Sequence, residues 1–504
     1  MVFAVAVLLA AWGGLGLTLL LLGRRGATDT PGAGELLCLS VLLGLATVSF
    51  VLFLAGLIHP PAAIGAATLT CAGLGAWGVF WHHPTLTAIV VRRRGWQDWV
   101  WLLVALVIIG GTTAVVWWFS QHGTLRFDGV AVWEIKARLA SVHHGTIPSG
   151  YYRDPTRAWS HPLYPPFIPL IEGWVYRWVG HPDQQAALLL FPLFFAIGAG
   201  LLWAGGRRLT GRRLPAAVGP LLLLAVPLIT DGDGSASSGY ADVPIAVYYL
   251  AAVIFVLDHL LHDRASSLRI AAAIAMVLPW VKQEGLVLFG GLAIVLVGAC
   301  MLRERRGALR PRAAGLAIAS FCLPGLFVGV GWRVYLSHVH AIREHDYLPY
   351  TWHTLSSNIG RLPMIGSHLF DELAMWDRWT LLWPWFGATA VLWFVARRGS
   401  ALQAAPLLVI LPAAADCGVY LFSAWQPVEA HIDSSLSRLL LQLTPVAMLL
   451  IAMSLPSGRR TIRPDLRRSR RPAHDDSPAE RADDAFLDDT ALDVTALSDE
   501  SVPS

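Results

Sequence analysis

Long, nearly unbroken apolar runs recur along this chain, and they restrict what it can fold into more than any other feature. They cover residues 1–22, 36–57, 61–80, 99–119, 186–203, 214–228, 243–257, 270–280, 286–302, 313–335, 380–396, 401–422 and 436–453. A helix that spans a bilayer needs about 20 apolar residues. Thirteen runs therefore predict an all-α polytopic transmembrane protein of about thirteen membrane helices. A chain of 504 residues that is 55% hydrophobic and only 14% charged is excluded from the ordinary water-soluble globules. The shortest run, 270–280, spans only as half of a helical hairpin, because the loops on either side of the 270–302 stretch are both basic.

Arginine placement supplies an internal test of this topology, since cytoplasmic loops retain positive charge during insertion. Arg24 with Arg25, Arg92 to Arg94, Arg207 with Arg208, Arg212 with Arg213, Arg264 with Arg269, the 303–312 cluster, Arg397 with Arg398 and the 459–471 stretch all fall on one side if crossings alternate. That side is expected to be the cytoplasm, which puts the N-terminus outside. The first run has arginines after it and none before it, the reverse of a secretory signal peptide, so it is expected to stay attached. The loops 120–185, 231–241, 336–379 and 423–435, with the turn at Lys282, then face the exterior and hold most of the histidine, tyrosine and acidic residues outside the tail. Residues 456–504 pass from arginine-rich to acidic and small, and are expected to form a disordered cytoplasmic tail whose arginines meet anionic lipid headgroups. The five cysteines lie in or beside apolar runs without metal-site spacing and read as packing residues.

Several polar groups on the expected outer face bear chemistry. Asp128 opens an amphipathic stretch in which Trp133, Lys136, Ala137 and Ala140 share a helical face, suited to the membrane surface. Its carboxylate either caps that helix or accepts a proton from a hydroxyl. His161-Pro162-Leu163-Tyr164-Pro165-Pro166 is a rigid aromatic stretch whose prolines delay helix until about Phe167, giving either a re-entry loop or a wall for a sugar or lipid. Asp242 lies at the mouth of the next crossing, as a cap or as part of a site. Lys282 and Glu284 join two short helices and are expected below the outer surface, paired with each other or with Asp242, or bound to a ligand. Arg438, expected to open the last crossing, suits a lipid phosphate or a headgroup anchor. Of 38 basic residues only Lys136 and Lys282 are lysine, either by chance or because those positions need a compact ammonium on a flexible stem. His338 and His340, with Glu344, His345 and Asp346 nearby, match no standard zinc spacing, so no metal ligand is assigned.

Taken together, Asp128, Trp133-x-x-Lys136-Ala137, His161-x-x-Tyr164-Pro165-Pro166, Gly239-Tyr240-Ala241-Asp242, Lys282-x-Glu284-Gly285 and Ser435-x-x-Arg438 resemble motifs of the polytopic GT-C glycosyltransferases, especially those related to protein O-mannosyltransferases and the aminoarabinose transferases of lipid A. The resemblance spans residues 99–455, with 1–98 as an added transmembrane module. It implies a bacterial plasma-membrane enzyme that inverts at the anomeric carbon, moving a sugar from a polyprenyl phosphate to a hydroxyl of a glycan, lipid or protein. It makes Asp128 the general base. Lys136, His161, Tyr164, Asp242, Lys282, Glu284 and Arg438 become donor-binding candidates. No cofactor and no nucleic-acid partner are implied. Many relatives carry adjacent acidic residues in the catalytic loop, whereas here Gly129 follows Asp128. A transporter or lipid-linked-sugar flippase is the alternative from another class, and a scaffold acting through the acidic tail is a third.

Overall fold

The protein is described here by a computed structural model, which covers residues 2–23, 31–90, 95–396 and 401–455. Arg24, Arg25, Arg92 to Arg94, Arg397, Arg398 and the 456–504 tail lie outside the described residues. The helices α1 (Val2–Leu22), α2 (Ala33–Ile58), α3 (Ala63–Val90) and α4 (Trp96–His122) lead into a segment of shorter elements. These are α5 (Ile135–Val142), α6 (Ser149–Arg153), α7 (Phe167–Val179) and α8 (Gln184–Leu188). There follow α9 (Leu190–Thr210), α10 (Arg213–Leu224), α11 (Pro227–Thr230), α12 (Asp242–His262), α13 (Ala265–Ala275), α14 (Leu278–Val281), α15 (Gly285–Arg305) and α16 (Pro311–His338). A second group of short helices, α17 (Trp352–Asn358), α18 (Leu362–Ala374) and α19 (Trp376–Trp379), precedes α20 (Leu382–Ala396), α21 (Leu407–Val419) and α22 (Val428–Ser454). Among the described residues no sheet forms, and one bridge couples Tyr347 with Ser423.

Among the described residues, ten helical stretches are long and apolar enough to cross a membrane. The three shorter apolar stretches, Arg213–Leu224, Ala265–Val281 and Leu382–Ala396, coincide with three of the short runs in the sequence. The one at 265–281 breaks into α13 and α14 before the chain turns at Lys282. Two boundaries follow local chemistry. Pro165 and Pro166 hold off helix until α7 begins at Phe167. α22, however, begins at Val428, well before its apolar run, so Arg438 sits about 15 Å along the helix rather than at its start.

α12 forms the axis of the core: nearly every residue along it is buried, against α9, α13, α15 and α22. The first helices are bonded into this core. Trp174 Nε1 donates to the Ala6 carbonyl on α1, Tyr248 Oη to the Leu42 carbonyl on α2, and Trp280 Nε1 to Ser49 Oγ.

Several arginines gather where α12 ends. Arg208 holds Glu35 at 2.5 and 2.8 Å and Asp258 at 3.1 Å. Asp258 also accepts from Arg264, at 3.0 Å, and from Ser267 Oγ. Nearby, Arg269 donates to the last carbonyls of α1, and Arg303 pairs with Asp263. The start of α12, about 24 Å along the helix from Asp258, carries Asp242 and a different set of groups.

Candidate active site

Asp128 is placed by its neighbours on either side. Arg126 pairs with Asp231 at 2.7 Å and Asp233 at 3.2 Å, fastening the chain to the 231–241 loop. The next six residues, Gly129–Glu134, form a π-helical turn that runs into α5. A Cβ at position 129 would lie 2.7 Å from the Ser238 carbonyl oxygen, so the close approach of the two loops excludes an acidic side chain there. That accounts for glycine where the resemblance led one to expect a second acid.

Asp128 makes no capping bond with its carboxylate. Instead its Oδ2 accepts from Arg438 Nη1 of α22, 310 residues away in sequence, while its backbone N–H donates to Tyr240 Oη at 3.1 Å. The Arg438 guanidinium lies over the Tyr240 ring, 5.4 Å from its centre, and Nε donates to the Ser434 carbonyl. Both partners are partly open, with side-chain exposures of 18% for Arg438 and 26% for Asp128, so a ligand can reach them.

A second cluster lies beside the first. Lys282 Nζ is 2.9 Å from Asp242 Oδ1 and 3.0 Å from Glu284 Oε1, and Gln442 Nε2 donates to the same Asp242 oxygen at 2.8 Å. Lys282, Asp242 and Gln442 are buried. The two clusters meet at Gly234, where a Cβ would touch Arg438 Cγ at 3.1 Å and Asp242 Oδ2 at 3.3 Å. Asp242 therefore serves Lys282 rather than capping α12, and both pairings considered for Lys282 form at once.

Lys136 and His161 stand apart from these contacts. Lys136 Nζ donates to the His161 carbonyl at 2.7 Å and packs against Trp133 and Tyr164, whose rings stack 5.5 Å apart. Burial pulls the Lys136 pKa down to about 7, with Glu344 acting in the opposite sense. The His161 ring faces Glu344 and Asp346, at 3.6 Å from each. Burial alone favours the neutral imidazole, but the two carboxylates overcome it and hold the pKa above its usual value. Tyr164 lies between the groups. Its phenol is pushed well up, first by burial and then by Glu284 and Glu344, with Arg438 opposing.

His161, Glu344 and Asp346 present ligand atoms within 4.8 Å of one another, so these three residues, rather than His338 and His340, have the geometry to hold a metal ion. Gln442 and Asp416, a buried carboxylate of α21, have no place in the sequence motifs. The signal that marks them is that each is an isolated polar residue in an apolar stretch, where such groups are costly. Outside the cluster, an apolar groove of about 340 Å³ runs between α15 and α16, lined by Leu286, Leu326, Gly329, Val330 and Val334, with Arg333 and Ser337. It begins at Leu286, two residues beyond Glu284.

No protein-family model matches the chain, and no curated protein does either. Among solved structures, the chain is similar to ArnT from Cupriavidus metallidurans, seen in a crystal structure bound to undecaprenyl phosphate. The TM-score is 0.47 at 16% sequence identity, over 71% of this chain and 60% of that one. The chain thus spans about three fifths of the length of this structural neighbour.

Proposed function

We propose that the protein is a membrane glycosyltransferase that moves a sugar from a polyprenyl-phosphate donor to an acceptor hydroxyl on the extracytoplasmic face. The observation that carries this reading is the contact between Asp128 and Arg438: a partly open carboxylate and a partly open guanidinium, brought together from opposite parts of the sequence. Asp128 takes the proton of the acceptor hydroxyl through Oδ1, the oxygen not engaged by Arg438. The hydroxyl oxygen then attacks the anomeric carbon from the face opposite the leaving group, and the configuration inverts. The bond from that carbon to the phosphate oxygen breaks, with its electron pair leaving on the phosphate. Arg438 and Lys282 stabilise the charge that develops there, the type of term that often dominates catalysis. Arg438 uses Nη1 and Nε within the protein, which leaves Nη2 for a phosphate oxygen.

The apolar groove starting at Leu286 suits the polyprenyl tail, because it lies beside the charged cluster and most of its lining is apolar. Tyr164, stacked on Trp133, gives the sugar a flat wall. Lys136 and His161 act behind that wall, setting its position. The arginines at the far end of α12 suit the cytoplasmic side, which would turn the Asp128 end outward.

The test is sugar transfer by the purified protein in lipid nanodiscs, using polyprenyl phosphates that carry labelled pentoses or hexoses. Transfer that disappears in Asp128→Asn and Arg438→Met supports the proposal. Translocation of the lipid-linked sugar at wild-type rate in both variants, with no transfer by any form, would replace it with a flippase.

A further inference from the structure

One part of this cluster carries more hydrogen-bond acceptors than the protein fills. Glu284 Oε2, Asp416 Oδ2 and Gln442 Oε1 are all buried and accept from no donor among the described residues. Buried acceptors left in this state cost about 1–3 kcal/mol each, so three in one neighbourhood require an explanation. They do share a neighbourhood. Glu284 and Gln442 are joined through Lys282 and Asp242, since Lys282 binds both carboxylates and Gln442 binds Asp242. Asp416 lies within electrostatic reach of Glu284 and Lys282. Its helix, α21, packs on α15, which Glu284 immediately precedes, and on α22, which carries Gln442, with the ring of Pro412 against Gly291.

Orientation is fixed at two of the three. Gln442 must point its amide nitrogen at Asp242, because the reverse would set two acceptor oxygens against each other, and this leaves Oε1 without a donor among the described residues. Glu284 uses Oε1 on Lys282, which leaves Oε2 free. The ammonium of Lys282 is already shared by two carboxylates. What the three oxygens lack is a partner bearing several donors. A phosphate, being acceptor-only when ionised, cannot supply them, and an apolar tail has none.

We propose that Glu284, Asp416 and Gln442 form an acceptor-lined subsite that binds the hydroxyl groups of the transferred sugar, next to the position taken by the donor phosphate at Arg438 and Lys282. This rests on the glycosyltransferase reading and names the part of the site that recognises the sugar itself. Sugar hydroxyls provide several O–H donors on a small rigid ring, and a site built of acceptors rejects a ligand that lacks them because its buried groups then stay unpaired. Asp416 and Gln442 are thus specificity residues and take no part in the bond changes.

Binding to the full chain in nanodiscs tests this with two probes: polyprenyl phosphate without sugar, and the same lipid carrying a neutral pentose or hexose. Wild-type protein is expected to bind the better of the sugar-bearing lipids at least about tenfold more tightly than the bare lipid phosphate, the gain expected of two or three net hydrogen bonds. Asp416→Leu, which keeps the branched outline of the side chain but has no acceptor, is expected to abolish that difference while binding the bare lipid phosphate as wild type does. Asp416→Asn, which keeps an acceptor oxygen and folds if the leucine variant does not, is expected to retain most of the difference. Gln442→Leu is expected to abolish the difference as well, and also to weaken binding of the bare lipid phosphate, because Asp242 beside Lys282 loses its bond from Nε2. Equal binding of bare and sugar-bearing lipids by wild type, or a sugar preference untouched by Asp416→Leu and Gln442→Leu, would overturn the subsite and leave the glycosyltransferase reading standing. If wild type binds neither kind of lipid, that reading fails and the subsite with it.

Discussion

The two ends of α12 carry buried carboxylates in opposite conditions. At Asp258 the network is closed: Arg208, Arg264, His262 and Ser267 all engage its two oxygens, and Glu35 takes the rest of Arg208. At Asp242 the network is open, with three acceptor oxygens on neighbouring side chains unfilled and an arginine nitrogen unused. One helix thus holds a fastening at one end and a site at the other. A buried charge with every partner in place has nothing left with which to bind a ligand. One with surplus acceptors is costly until something binds.

The largest effect expected from this contrast is at the open end. Asp128→Asn should lower sugar transfer by about 10²- to 10⁴-fold, the range for loss of a general base, with the melting temperature in detergent nearly unchanged. Transfer within a few fold of wild type would assign the base elsewhere. At the closed end the response should be in stability. Asp258→Ala leaves Arg208 and Arg264 short of their anion and should destabilise the protein by about 3 kcal/mol or more, read as an early thermal transition. A protein that melts normally would show the fastening to be dispensable.

A smaller effect separates the loops around the open end. Because Glu344 and Asp346 raise the His161 pKa in the folded state, the imidazolium contact adds stability that is fully present below the unfolded value of about 6.5 and is lost as pH rises through the folded value. Lys136 titrates near 7 with the opposite sign, since its folded pKa is depressed. The His161 ring should therefore be followed directly by its NMR shift. A midpoint above that of an exposed histidine is expected, returning toward the ordinary value in Glu344→Gln. A midpoint below it would mean that burial outweighs the carboxylates.

The smallest effect marks the limit of the comparison. Arg213 and Asp98 pair at 2.8 Å with both side chains about one-third exposed, and Arg213→Ala should cost only about 0.2–1 kcal/mol. A loss as large as that of Asp258→Ala would mean that exposure does not separate the two kinds of pair.

Much of the helical plan was legible because spanning helices follow from composition alone. The delay of α7 to Phe167 followed from proline. The turn at Lys282 followed from an apolar run too short to cross unaided. The depth of Arg438 was hidden, since His431-Ile432-Asp433-Ser434-Ser435 is polar enough to read as loop although it is helical from Val428 onward. The partners of His161 were hidden for a different reason. Glu344 and Asp346 arrive from more than 180 positions away, and no local pattern encodes such a meeting. Asp416 and Gln442 were overlooked because a single polar residue barely alters the hydropathy of its segment.

The bond between Asp128 and Arg438 also bears on biogenesis. Residues 310 positions apart cannot meet until α22 has left the ribosome, about 15–60 s after Asp128 at 5–20 residues per second. During that interval the nascent chain is already in the membrane but holds its acid without its guanidinium. A chain terminated before α22 would insert most of its helices and still lack the pair, so activity should switch on only once α22 has been made.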